Sequence, residues 1–206
     1  MKESVILVCC SWVVRLAYIN VLWCVFTMLG GIIFGWAPAT VSSFTIMRRW
    51  MDKEEFRILP YFWKVYKKEF SQANASGLIN LVIFIILLTN LLILSNTSSP
   101  FTSIFIIGNW SLFLLFTIFM LIFYVVYTFV EGSTLSKYQQ ALFFSISRLP
   151  ISLLILLVNA SWVWILCQFP GLILLFSVSV SLLFTFLLAR FSWLNMVDNY
   201  YKRSAI

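Results

Sequence analysis

The residues of this chain that are equipped for acid–base chemistry are few and poorly placed for it. There are seven carboxylates, Glu3, Asp52, Glu54, Glu55, Glu69, Glu131 and Asp198, and no histidine, the commonest general base. All seven fall in polar intervals or at the edges of apolar runs, so none stands where an intramembrane proton relay would need it. Phosphate-cradling glycine loops, nucleophile elbows and zinc-helix motifs do not occur. Cys9, Cys10, Cys24 and Cys167 form no C-x-x-C pair and read as free buried thiols. The sequence predicts no catalytic residue, no metal site and no cofactor.

Binding chemistry is better represented. Arg48, Arg49, Lys53, Arg57, Lys64, Lys67 and Lys68 are half of the 14 basic residues, and they crowd between Trp36 and Gly77. Cations beside apolar runs suit anionic lipid headgroups. From Tyr61 to Ala75 the apolar positions Phe62, Val65/Tyr66, Phe70 and Ala73 recur at helical spacing, with the lysines elsewhere on the wheel. That pattern predicts a basic, aromatic helix along a membrane surface. Its candidate docking residues, for lipid or for a cytoplasmic partner, are Arg48, Arg49, Trp50, Phe62, Trp63, Lys64, Lys67, Lys68 and Phe70. Nucleic acid is not expected as a partner despite the formal charge of +7, because little surface remains outside the apolar runs.

Amides inside those runs are the other candidates: Asn20, Asn80, Asn90, Asn109 and Asn159. Hydrogen bonding between helices is their ordinary use. The alternative is an amide-lined path that makes the protein a small-solute channel or carrier. Trp162, Trp164 and Gln168 offer a ring-and-amide group for a sugar, although tryptophan near a membrane face is ordinarily an anchor.

The elements that position these groups follow from composition. The chain is 62% hydrophobic and 10% charged, against about 25% charged in soluble domains. Its apolar runs are long and unbroken rather than alternating, which predicts an all-α membrane protein of one domain. Five transmembrane helices are expected at 12–35, 77–95, 101–130, 150–168 and 171–190, with a cytoplasmic amphipathic segment at 41–75. Uncharged turns at 95–100 and 168–171 contrast with the basic intervals 36–77 and 131–149 and the basic tail. The excess of Lys and Arg places those basic regions and the C-terminus in the cytoplasm. An odd number of spans then places the N-terminus outside, whereas a first segment folding back at Gly30-Gly31 would place it inside. The first apolar run is too long for a cleaved leader. The glycines near its end suit close helix packing or self-association. Tyr61–Val130 and Leu135–Ala189 share an order of mixed-polarity helix, span, neutral turn and span, which suggests a parallel repeat.

Several short stretches also carry a resemblance. They are Arg15-Leu16-Ala17-Tyr18-Ile19-Asn20-Val21-Leu22-Trp23, Gly35-x-x-Pro38-Ala39-Thr40, Arg48-Arg49-Trp50, Phe62-Trp63 and Lys68-x-Phe70. In these the chain resembles the YesL-like proteins, a bacterial membrane family of unknown function, with Arg15, Asn20, Trp23, Gly35 and Pro38 as the motif positions. The resemblance implies a small multi-pass protein of the bacterial cell membrane, often encoded beside carbohydrate ABC importers. It also implies an accessory role in sugar uptake, with an importer permease or ATPase as partner. It supplies no catalytic residues, and the chain lacks the E-A-A…G loop of the permeases themselves.

Overall fold

Backbone inside hydrocarbon must satisfy its own hydrogen bonds, so the apolar runs fold as helices. The computed structural model describes residues 5–97 and 101–204, with the side chains of Val5, Ile6, Val8 and 196–204 left aside. Lys2, Glu3 and the Pro100 end of the first neutral turn lie outside the described residues, as do the side chains of Asp198, Lys202 and Arg203. The helices are α1 (Val5–Leu29), α2 (Trp36–Met51), α3 (Ile58–Ser95), α4 (Thr102–Phe129), α5 (Thr134–Ser147), α6 (Leu149–Gln168), α7 (Gly171–Phe176) and α8 (Ser179–Ser204). No strand occurs among the described residues. α1, α3, α4 and α6 are each long and apolar enough to cross a bilayer, and the protein is an all-α membrane protein.

The first apolar run does not make one span over 12–35. α1 stops at Leu29, and the chain reverses through residues 30–35 and returns as α2. Gly31 takes φ +70 in this turn, a left-handed conformation open to glycine. Gly35 lies flat against Thr27, the Trp23 Nε1 donates to Thr40 Oγ1 at 3.0 Å, and the Trp12 and Trp50 rings meet edge to face at 6.0 Å. The start of α1 therefore lies at the same end of the bundle as the end of α2. At 16 residues, α2 is about 24 Å long, short of the ~30 Å hydrocarbon core.

α2 is core rather than surface. Val41, Phe44, Met47 and Trp50 are buried as the helical spacing requires, but so are Ala37, Ser42, Ser43 and Ile46 on its other sides. The Ser42 and Ser43 hydroxyls donate back to the Pro38 and Ala39 carbonyls, which removes the cost of burying them.

The basic segment Tyr61–Ala75 and the span that follows it are one helix, α3, of 38 residues. Nothing between Ala75 and Leu78 breaks it. Gly77 is tolerated because Ala37 of α2 packs there, 2.9 Å from where a β-carbon would stand. At about 57 Å it is nearly twice the thickness of the hydrocarbon core, so part of its length suffices to cross.

α4 runs antiparallel to α3, with Tyr124 beside Gly77, Phe113 against Phe84 and Tyr127 bonded to Glu69. The outward faces of this hairpin are large exposed apolar side chains, among them Leu78, Val82, Ile86, Ile104, Ile107 and Leu115. Such a surface belongs against lipid tails. Gly132, at φ +124, turns the chain into α5, whose first turn is capped by Ser133 Oγ accepting from Ser136 N. α6 then pairs antiparallel with α8 through Asn159 and Thr185. The expected fifth span is split, because the chain breaks between α7 and α8 at Ser177–Val178.

α2, α4 and α8 point one way and bring Arg48, Asp52, Thr128 and Arg190 together at one polar end. There Arg48 donates to the Thr128 carbonyl, and Arg190 lies 2.8 Å from Asp52. α3–α4 and α6 with α7–α8 point the same way, as a parallel repeat would. They differ at the joint, since α3 is continuous whereas Arg148, at φ −122 and ψ 40, separates α5 from α6. The core is aromatic where the hairpins meet, with Phe44 over Phe186 and Phe129 between Phe186 and Trp193.

A topological outcome follows. Because α1 starts and α8 ends at the polar end, reporters fused to the two termini are expected in the same compartment. Opposite compartments would show that α1 and α2 do not form this hairpin in the membrane.

Candidate functional site

The nine expected docking residues separate into three environments. Trp50 is 9% exposed, packed on Trp12 with the Arg15 guanidinium 5.4 Å from its ring, and Phe62 is fully buried against Phe26. These two hold the fold and are not available for docking. The helical spacing correctly gave them an apolar face, but that face meets α1 rather than lipid.

Trp63, Lys67 and Phe70 form a second group. With Tyr66, Leu29 and Gly30 they line an open groove of about 510 Å³ beside the α1–α2 turn. Trp63 and Phe70 are exposed, and the Lys67 ammonium sits 4.4 Å from the Trp63 ring. Tyr66 is fixed below them by donating to the Phe26 carbonyl at 3.1 Å.

The third group faces a cleft of about 590 Å³ between α2, α3 and the α4–α5 turn. Arg49, Lys64 and Lys68 line it from α2 and α3. Arg48 lies just outside, on the Phe129 ring. Arg49 is held in place, with Nε 3.0 Å from Glu54 and the guanidinium 4.0 Å over the Tyr61 ring.

The floor of the cleft is Lys137, which was not among the expected site residues. Its ammonium is 3.2 Å from Gln72 Oε1, 4.0 Å from Glu69 and 3.4 Å from the centre of the Tyr127 ring, and its side chain is 6% exposed. Burial pulls this ammonium below its ordinary pKa and Lys68 pulls the same way, while Glu69 pulls it back. Glu69 is shared three ways, since it also accepts from the Tyr127 hydroxyl at 3.0 Å and lies 3.8 Å from Lys68. Gln72 fastens the loop by donating to the Gly132 carbonyl. Sequence spacing could not place Lys137 here, because it stands 65 residues from Gln72. The one available signal was a lysine in a helix with an apolar face.

The five amides do not line a common path. Asn20 holds the α7–α8 break: its Nδ2 donates to the Leu174 carbonyl at 2.9 Å, and its Oδ1 accepts from Val178 N and Ser179 N at 3.0 and 3.2 Å. Asn159 bonds Thr185 and Ser181 across α6 and α8. Asn80 accepts from Tyr138, whose phenol burial pushes up to about 12, so that it stays a donor. Asn109 is buried on α4, and Asn90 is exposed on the outer surface of α3. Trp162 supports the break by donating to the Ser177 carbonyl, while Trp164 and Gln168 face outward, so these three make no ring-and-amide group. The cysteines are free, but Cys9, Cys10 and Cys167 are exposed rather than buried, on helix sides turned away from the bundle.

Four of the five motif residues serve the α1–α2 hairpin, while Asn20 bonds the α7–α8 break. Arg15 covers Trp12 and Trp50, Trp23 bonds α2, and Gly35 seats α2 against α1. Pro38 sits in the first turn of α2, where its missing N–H costs nothing. Gly30 and Gly35 are thus used within the chain, since a β-carbon on Gly30 would meet Gly35 at 2.4 Å, and they are not free to seat a second copy.

The family described as "Protein of unknown function, DUF624" matches residues 16–91, which run from α1 through most of α3. The uncharacterized protein YesV of Bacillus subtilis is 33% identical over 168 residues, covering 80% of this chain and 79% of YesV. The uncharacterized proteins YteU and YesL of the same organism are 30% and 29% identical, over 83% and 85% of this chain and 77% and 79% of their own lengths. No solved structure matches. On that similarity the chain belongs to the YesL-like DUF624 family of proteins of unknown function.

Proposed function

We propose that this protein is an accessory component of carbohydrate uptake in the bacterial cell membrane, docking the permease or ATPase of an ABC importer through the aromatic groove on the basic half of α3. The bias of Lys and Arg toward the cytoplasm faces the polar end inward. Because α1 doubles back as α2, the N-terminus then lies inside with the C-terminus, rather than outside as five spans would have it. The observation that carries the reading is the groove of Trp63, Lys67 and Phe70. Exposed aromatic rings with a cation against one of them, on the basic half of α3, form an anchor surface of the kind that partners bury. Sugar uptake as the process rests on the family resemblance. In keeping with a non-enzymatic role, both oxygens of Glu69 are already engaged by Lys68, Lys137 and Tyr127.

The test is co-purification of the full-length protein with a named permease and ATPase from native membranes. Wild type is expected to retain at least one of them, and Trp63→Ala with Phe70→Ala to lose most of it. Absence of both from the wild-type preparation, or undiminished recovery with the double variant, defeats the proposal.

A further inference from the structure

We propose that the cleft between α2, α3 and the α4–α5 turn is a binding site for a phosphomonoester, the doubly charged phosphate of a small molecule or of a lipid headgroup. The first ground is convergence. Arg49, Lys64 and Lys68 project from two helices into the same concavity that Lys137 floors from a third, whereas Lys53 and Arg57 of the same basic interval face elsewhere. Like charges brought together repel, and such a group persists where an anion offsets it.

The second ground is charge balance. Glu54 engages Arg49 from outside the cleft, but a single carboxylate, Glu69, serves both Lys68 and Lys137. Lys64 has no ion-pair partner among the described residues. Glu131 stands on the rim as the opposing charge. The cleft thus carries positive charge that its own acids do not match.

Third, the dimensions fit. About 590 Å³ falls within the range of small-molecule sites and exceeds what a bare phosphate needs, leaving room for the group that bears it. Arg49 is preorganised by Tyr61, so its free N–H edge is directed without further ordering, and Lys64 and Lys68 add mobile point charges. Lys137 keeps a buried cation at the base even though burial disfavours it, which a purely structural contact between Gln72 and Glu69 does not require.

Full-length protein in nanodiscs of zwitterionic lipid, titrated with inorganic phosphate and with glucose 6-phosphate while thermal unfolding is followed, provides the test. A parallel arm uses nanodiscs carrying phosphatidic acid, a phosphomonoester, or phosphatidylglycerol, a phosphodiester. A saturable rise in the midpoint is expected in at least one monoester arm. Lys64→Ala with Lys68→Ala should weaken it about tenfold or more, since two charge-assisted contacts are lost. Lys53→Ala with Arg57→Ala, outside the cleft, should change it less than about twofold. A response to the soluble esters assigns a small molecule, one confined to phosphatidic acid assigns the lipid, and a response to both assigns the phosphate group itself. Three outcomes overturn the proposal: no saturable response in any monoester arm, an equal response to phosphatidylglycerol, or equal weakening by the two double variants. The Trp63–Phe70 groove is a separate surface, so this site stands or falls independently of the docking reading.

Discussion

Asn20→Leu is expected to lower the stability of the protein by about 2–4 kcal/mol, the largest effect of any amide replacement. Leucine is close in size, so packing is nearly kept and the loss is polar. Three main-chain groups at the α7–α8 break, the Leu174 carbonyl and the N–H groups of Val178 and Ser179, would lose their partner. Hydrogen bonds between membrane helices are often worth only ~0.6 kcal/mol, because a freed side chain finds other partners. Main-chain groups at a helix break cannot turn to find them, and the site is fully buried. Thermal unfolding in detergent micelles should register a drop of roughly 5–10 °C. Asn90→Leu is the comparison: Asn90 is exposed on the apolar half of α3, and its replacement should cost less than about 0.5 kcal/mol. Equal midpoints for the two variants would show that Asn20 does not hold the break.

Gly35→Ala should be about as damaging, through sterics alone. A β-carbon there would lie 2.2 Å from the Thr27 carbonyl oxygen and 2.7 Å from its Cα. Both contacts are backbone, so no side chain can rotate away, and α2 must part from α1. Overpacking of this kind costs about 1–3 kcal/mol or more. Separation would also expose the Trp23–Thr40 bond and the Arg15–Trp50 contact, which belong to the same hairpin. Gly108→Ala supplies the control. Nothing stands within 4 Å of its β-carbon position in the second turn of α4, and alanine is the better helix former, so stability should hold or rise slightly. If Gly35→Ala unfolds at the wild-type midpoint, the tight α1–α2 contact is wrong.

These two residues mark where sequence reading stops. Asn20 was legible as a polar group in an apolar run, and helix-to-helix bonding was its expected use. What it bonds lies 154 to 159 residues away, and no local pattern announces that distance. Gly35 was legible as a small residue suited to close helix packing near the end of the first apolar run. Whether a glycine there ends a span or lets the chain double back depends on what it packs against. The docking set shows the same limit. Helical spacing grouped Phe62, Trp63, Lys64 and Lys68 on one element, yet Phe62 is core, Trp63 borders one groove and Lys64 and Lys68 border another.

By itself the sequence determined that this is an all-α membrane protein, where most of its apolar helices lie, and that its basic residues collect at one end. Those properties are sums along the chain: hydropathy over about twenty residues sets whether a segment enters lipid, and charge sets which ends stay in water. The tertiary structure alone decided that the first run turns back as a buried arm, that α3 is unbroken, that the last span is split around Asn20, and that Lys137 joins Arg49, Lys64 and Lys68 in one cleft. Each of these depends on which surfaces meet, and contacts of a few ångströms between distant residues leave no periodic trace in the sequence.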